Sequence, residues 1–183
     1  LYYRGGDYPP LDHSTLQDPP VEQRRIMELA RLVTNEAVMR DLEAIFGFLE
    51  QQPEVRGRRV GCVGYCMGGP LALYAAGTFP DRVTAAASIH GANLATDPPD
   101  SPHLLARKMI GELYVGVAEH DPYILPGETE RIDAALREAG ARYQLERYPG
   151  CRHGFALVGA HGFDAQADDQ HRRRIVDLFR RNL

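Results

Sequence analysis

The chain of 183 residues is long enough for one folded domain, and its 44% of hydrophobic residues can fill a substantial core. A formal net charge of −4 and a pI near 6.0 argue against a protein that binds nucleic acid or an anionic membrane. No stretch of this sequence has the pattern of a signal peptide, and no run of about 18 apolar residues predicts a membrane span.

The first fifty residues predict a loop followed by two helices. Residues 1–20 are rich in Gly, Pro and Asp, as loops are. From Val21 onward, apolar residues recur at three- and four-residue steps, which predicts a helix. A second helix is predicted over residues 35–51, and Pro53 ends it.

Strands and helices alternate along the rest of the chain. Short strands with apolar or alternating patterns are predicted over residues 58–65, 83–90, 112–119 and 141–148. Helices are predicted between and after them, over residues 67–76, 126–140 and 164–182. This alternation produces βαβ units, so the sequence predicts a single α/β domain over residues 1–183 with a mainly parallel sheet flanked by helices.

The turn after the first of these strands carries a candidate nucleophile. Residues 64–68 read Gly-Tyr-Cys-Met-Gly and match the nucleophile-elbow pattern G-x-nucleophile-x-G, with Cys66 where serine is usual. Side chains two positions before or after Cys66 would collide with backbone in this strained turn. The helix N-terminus would favour the thiolate, and the Met67 N–H would be one oxyanion-hole donor. The alternative interpretation is a glycine-rich turn around a buried structural cysteine.

A candidate acid and a candidate base follow later strands. Asp121 comes after the third strand and His153 after the fourth, and active sites of parallel sheets assemble at these carboxyl ends. The order nucleophile, acid, histidine is that of the α/β-hydrolases. A catalytic triad of Cys66, Asp121 and His153 is therefore predicted.

Four other histidines are weighed against these roles. His120 neighbours Asp121 and could compete as the base, but its side chain should point elsewhere. His90 ends the second strand; it either lines the pocket or is hydrogen-bonded at the strand end. His161 and His171 are predicted to lie on the surface.

The three cysteines give no disulfide framework and no Cys-x-x-Cys pair. Cys62 is predicted to lie in the core. Cys151 lies near the histidine loop, where it could be exposed to solvent, and it is predicted to take no part in the reaction. A reducing, cytoplasmic compartment is expected. No spacing of ligands predicts a metal site, and no metal or organic cofactor is expected.

Together these residues resemble the dienelactone hydrolase family. The Gly-Tyr-Cys-Met-Gly-Gly run at 64–69 looks like the family's nucleophile motif, and the His-Gly-Phe run at 153–155 like its histidine motif. Residues 41–44 resemble the helix before the nucleophile strand, and residues 1–4 the segment that leaves an earlier strand. The resemblance implies an α/β-hydrolase fold and hydrolysis of a lactone or small activated ester through an acyl-thioester.

The resemblance also implies two departures. The family's N-terminal strands are expected to be absent from this chain, and with them a glutamate that pairs with the nucleophile and the loop with the second oxyanion donor. The nucleophile strand would then lie at a sheet edge, and the working protein is expected to be longer. The family type enzyme has a carboxylate-binding arginine four residues after the catalytic histidine, where this chain has Leu157. Arg24 or Arg25 is a loose match to another such arginine.

The predicted function is thus a hydrolase of the dienelactone hydrolase (carboxymethylenebutenolidase) kind, acting on a small-molecule lactone or ester as a monomer or small homo-oligomer. Tyr65, Tyr123 and His90 are candidate pocket residues. One alternative is a carboxylesterase or thioesterase on the same scaffold. The other is a non-catalytic protein that binds a ligand or senses oxidants through Cys66.

Overall fold

The computed structural model describes residues 2–7 and 20–183, without the side chains of residues 20–23. The chain divides into two compact units, residues 1–55 and 56–183. The single domain expected from the sequence stays a prediction. Most of the predicted loop at residues 1–20 lies outside the described residues.

The first unit is helical. After a short 3₁₀ turn at Tyr2–Gly5 it contains α1 (Pro20–Ala30) and α2 (Asn35–Leu49). Thr34 begins α2 because its side-chain oxygen accepts the Ala37 N–H at 3.2 Å. Within the unit, the Arg4 guanidinium lies 2.6 Å from the Asp41 carboxylate and ties the turn to α2.

The second unit contains a parallel sheet, with strand order β1-β2-β3-β4. Its strands are β1 (Val60–Tyr65), β2 (Val83–Ile89), β3 (Glu112–His120) and β4 (Arg142–Arg152). Its α-helices are α3 (Gly68–Thr78), α4 (Glu128–Glu138) and α5 (Ala165–Asn182). A 3₁₀ segment at Pro102–Lys108, which the sequence pattern does not predict, precedes β3.

The helices cover the sheet because their apolar faces pack on it. α3 contacts β1 and β2, α5 contacts β1, β2 and β3, and α4 contacts β4. Ile175 and Leu178 carry α5 into the same core as the small buried residues Ala85 and Ala87 of β2. The predicted α/β architecture with a mainly parallel sheet is confirmed.

The strands differ in burial according to their place in the sheet. β2 lies in the interior and is almost wholly buried, whereas β1 lies at the edge of the described sheet and exposes Val63. The apolar content of residues 58–65 predicts a buried strand, which is wrong for β1, while the edge position is the one expected of a chain without the family's N-terminal strands. None of the described helices is long and apolar enough to cross a membrane.

Candidate active site

A candidate site residue directly follows each of the four strands. Cys66 follows β1, His90 follows β2, Asp121 follows β3 and His153 follows β4. Since all four strands are parallel, their carboxyl ends meet at one edge of the sheet. The fold therefore gathers a thiol, two imidazoles and a carboxyl group from positions far apart in the sequence.

The Cys66 turn has the strained backbone that the elbow pattern predicts. Cys66 has φ of 53°, a left-handed value that is costly for a residue with a side chain. Backbone hydrogen bonds hold the turn: the Cys66 N–H donates to the Ile89 carbonyl at 3.0 Å, and the Gly69 N–H donates to the Cys66 carbonyl at 2.9 Å. Among the described residues, only His90 (39°) and Asn93 (61°) are other non-glycine residues with positive φ.

The glycines around Cys66 are needed for steric reasons, although not at both expected positions. A Cβ at Gly64 would overlap the carbonyl group of Gly68, as expected. A Cβ at Gly68 would meet no heavy atom within 4 Å, so the collision predicted there is wrong. The second crowded position is Gly69, where a Cβ would overlap the Ser88 hydroxyl. The reason is that the first turn of α3 faces the end of β2 at Gly69 and not at Gly68.

Cys66, His153 and Asp121 form one continuous line of polar contacts. The Cys66 Sγ lies 3.1 Å from His153 Nε2, and His153 Nδ1 lies 2.7 Å from Asp121 Oδ2. The Asp121 side chain is 1% exposed, and its other oxygen accepts the Tyr123 N–H at 3.0 Å. A buried carboxylate on Nδ1 leaves Nε2 facing the thiol, which is the arrangement of a nucleophile, its base and an orienting acid.

The electrostatics of this line favour a thiolate–imidazolium pair. The hydrogen bond with His153 lowers the pKa of Cys66, and the Met67 backbone N–H adds to this effect. Burial acts to lower the pKa of His153, but the contacts with Cys66 and Asp121 outweigh it and raise that pKa to about 8. Both shifts act in the same direction, toward a proton on the imidazole and an ionised, nucleophilic thiol.

Two rings pack against the His153 imidazole. Tyr123 lies edge-on with its centroid 4.6 Å away and is 64% exposed, so it presents apolar surface beside the base. His90 lies 4.9 Å away and is fully buried. Neither ring nitrogen of His90 meets a hydrogen-bond partner in the described part of the chain, so the interpretation as a hydrogen-bonded strand-end histidine is wrong.

Tyr65 and His171 form a pair beneath the Cys66 turn. The Tyr65 hydroxyl lies 3.1 Å from Nε2 of His171 on α5, and its ring lies 6.0 Å from that of His90. His171 is fully buried, so the prediction of a surface position is wrong. A sequence signal exists: His171 precedes Ile175 by four residues and Leu178 by seven, which places it on the apolar face of α5.

The structure places the remaining candidates as follows. His120 is exposed and lies near the Glu119 carboxylate, away from the line of contacts. Cys151 is buried and not accessible, and burial raises the pKa of its thiol. Arg24 is an exposed residue of α1 in the first unit, and Leu157 is 41% exposed in the turn after His153. Their roles in substrate binding stay predictions.

Comparisons with known proteins address the fold and the family. A carboxymethylenebutenolidase of Pseudomonas putida is 30% identical over 167 residues, which cover 90% of this chain and 66% of that protein. A Synechocystis protein with a provisional carboxymethylenebutenolidase name is 30% identical over 149 residues, 80% of this chain and 60% of its own length. The chain thus spans less than two thirds of these relatives.

Solved structures show the same fold. A Klebsiella pneumoniae protein, provisionally named a dienelactone hydrolase, superposes with a TM-score of 0.80 at 23% identity, over 98% of this chain and 72% of that one. The sequence pattern of the Dienelactone hydrolase family matches residues 1–183. The family resemblance predicted from the motifs is confirmed, and this chain belongs to the dienelactone hydrolase family.

Proposed function

We propose that the protein hydrolyses a lactone or small activated ester with Cys66 as nucleophile, His153 as base and Asp121 as the acid that orients it. The observation that carries the proposal is the unbroken line of contacts from Sγ through the imidazole to a buried carboxylate, at 3.1 and 2.7 Å. Membership of the dienelactone hydrolase family supports the same reaction class.

In the first half-reaction, the Cys66 thiolate attacks the carbonyl carbon and an S–C bond forms. The carbonyl π electrons move to oxygen, and the Met67 N–H donates to the resulting oxyanion. Its collapse breaks the C–O bond to the leaving oxygen, which takes the Nε2 proton of the His153 imidazolium. In a lactone both products stay in one molecule, bound to Cys66 as an acyl-thioester.

In the second half-reaction, neutral His153 accepts a proton from water as the water oxygen attacks the thioester carbon. The C–S bond breaks, the carboxylic acid leaves, and the thiolate–imidazolium pair is restored. Asp121 keeps its hydrogen bond to Nδ1 through both steps, so the imidazole holds one orientation while its charge changes.

The surroundings of the base favour a substrate with an apolar part over one held by a carboxylate clamp. Tyr123 presents its ring beside His153, and Leu157 occupies the position where the family type enzyme has an arginine. An apolar side chain cannot pair with an anion, so Leu157 weakens the argument for a charged dienelactone and leaves the reaction class untouched.

The test is hydrolysis of cis-dienelactone and of a neutral aryl ester by the full-length protein and its Cys66→Ala variant. For each compound that the wild type turns over, the kcat of the variant should be lower by at least about 10⁴-fold. The matched control is Cys62→Ala. The Cys62 thiol on β1 donates to the Ala72 carbonyl of α3, and burial raises the pKa of this thiol to about 12.

Three outcomes separate the alternatives. Dienelactone turnover that vanishes in Cys66→Ala supports both the nucleophile and the lactone substrate. Turnover of the aryl ester alone keeps the nucleophile and assigns the protein to the esterases of this fold. Turnover by Cys66→Ala at the wild-type rate, or no turnover by the wild type, overturns the proposal, and in the second case Cys66 is better tested as a ligand or oxidant sensor.

A further inference from the structure

The residue before the proposed nucleophile is held by a helix far away in the sequence. Tyr65 ends β1, and its hydroxyl lies 3.1 Å from Nε2 of His171, which is 106 residues further along on α5. The two rings also meet edge to face, with centroids 5.7 Å apart. This contact has no part in the reaction steps described above.

The tautomer of His171 follows from its neighbours. Within the described part of the chain, Nδ1 faces only acceptors: the Ala167 carbonyl at 3.3 Å and a carboxylate oxygen of Asp168 at 3.6 Å. Burial lowers the pKa of His171, so the ring is neutral near pH 7 and its one proton resides on Nδ1. Nε2 is then an acceptor, and it accepts a hydrogen bond from the Tyr65 O–H.

The position of this hydrogen bond matters because the next residue is strained. Cys66 holds a left-handed φ of 53°, and such a conformation persists only where surrounding contacts fix it. The backbone bonds of Cys66 tie the turn to β2 and α3. The Tyr65 hydroxyl ties the same turn to α5. Because Tyr65 directly precedes Cys66, this contact acts one residue away from the thiol.

We propose that His171 is a positioning residue, which holds the Cys66 thiol toward His153 by accepting a hydrogen bond from Tyr65. The inference rests on the proposed function for its effect on turnover. Its effect on the thiol does not depend on any substrate, because the reactivity of Cys66 is measurable by alkylation.

The test removes each partner of the hydrogen bond in the full-length protein. Tyr65→Phe deletes one oxygen, and His171→Leu deletes the acceptor. Each should lower the rate of Cys66 alkylation by iodoacetamide at pH 7, and kcat for an ester, by roughly tenfold with KM within about twofold, since small displacements of a reacting group cost this much. The double variant should be no slower than either single one. His171→Gln, whose amide oxygen can reach the position of Nε2, should restore most of the rate.

The matched control is Tyr143→Phe. Tyr143 lies on the outer strand β4, and its hydroxyl donates to the Asp133 carboxylate of α4 at 2.7 Å. This variant should change neither rate. If His171→Leu does not fold, Tyr65→Phe and His171→Gln decide. Wild-type alkylation and kcat in Tyr65→Phe would overturn the proposal, as would losses that add in the double variant. A wild type that alkylates but hydrolyses no ester would reject the proposed function alone.

Discussion

Acid should destabilise the protein through His90, and the structure gives the size of the effect. Burial, and then the charge of His153, lower the pKa of His90 to about 4, from an ordinary value of 6.5. Because the folded-state pKa lies below the unfolded one, the stability linked to His90 is fully present above pH 6.5. It is lost as the pH falls from 6.5 to about 4.

The magnitude follows from the two pKa values. One pKa unit corresponds to about 1.4 kcal/mol, so the full loss is about 3 kcal/mol, of which about 2.5 kcal/mol is lost by pH 4.5. His153 has the opposite sign: its pKa is raised to about 8, so its contribution is present below pH 6.5 and is lost as the pH rises through 8. The wild-type curve mixes the two effects, and only a variant at His90 separates them.

The assay is urea unfolding of wild type and His90→Phe at pH 7.5 and 4.5, followed by circular dichroism because the chain has no tryptophan. On going from pH 7.5 to 4.5 the wild type should lose about 2.5 kcal/mol of unfolding free energy through His90, and the variant should not, since phenylalanine does not titrate. The difference in unfolding free energy between variant and wild type should therefore shift by about 2.5 kcal/mol in favour of the variant. The comparison variant in the same assay is His120→Gln, which removes an exposed histidine. A gain below about 1 kcal/mol in His90→Phe would refute the argument.

Three further predictions concern the elbow, a helix start and the thiol. Gly64→Ala should destabilise the protein by about 3 kcal/mol or more, because the new Cβ overlaps backbone, whereas Gly68→Ala should change the free energy of unfolding by less than about 1 kcal/mol; urea denaturation compares them. Glu128→Ala should cost about 2–4 kcal/mol in the same assay, since the buried carboxylate accepts two backbone N–H groups that would lose their partner; an unchanged midpoint would contradict this. His153→Ala should move the pH profile of Cys66 alkylation to higher pH, because the hydrogen bond that lowers the thiol pKa is gone; a profile that does not move would mean that another group ionises the thiol.

Periodicity and turn chemistry predict much of this fold because the elements are local. The strands and helices of the second unit lie within a few residues of their predicted bounds, and only the end of β4 is clearly longer, since it continues past Pro149 to Arg152. The motif also locates the strained turn at Cys66, because glycine at position 64 is demanded by contacts within the same turn. The 3₁₀ segment before β3 has no such local signature.

What the sequence does not predict depends on contacts between distant segments. Gly69 is crowded by Ser88 and Gly91, which only the folded chain brings near. Among the described residues the ring nitrogens of His90 have no hydrogen-bond partner, because aromatic rings from β1 and the histidine loop surround the imidazole. The apolar face of α5 is enough to predict that His171 is buried. Its partner Tyr65 belongs to another element, so their contact is visible only in the structure.

The left-handed backbone at Cys66, His90 and Asn93 has a consequence for anyone who selects variants of this protein for heat resistance. Glycine reaches such conformations without the cost of about 1–3 kcal/mol that other residues bear. At the fully buried His90 a glycine would leave a cavity that costs more than it gains, but a selection that measures only survival of the fold will favour glycine at Cys66, at the end of β1. The most stable descendants would be those that had lost the site.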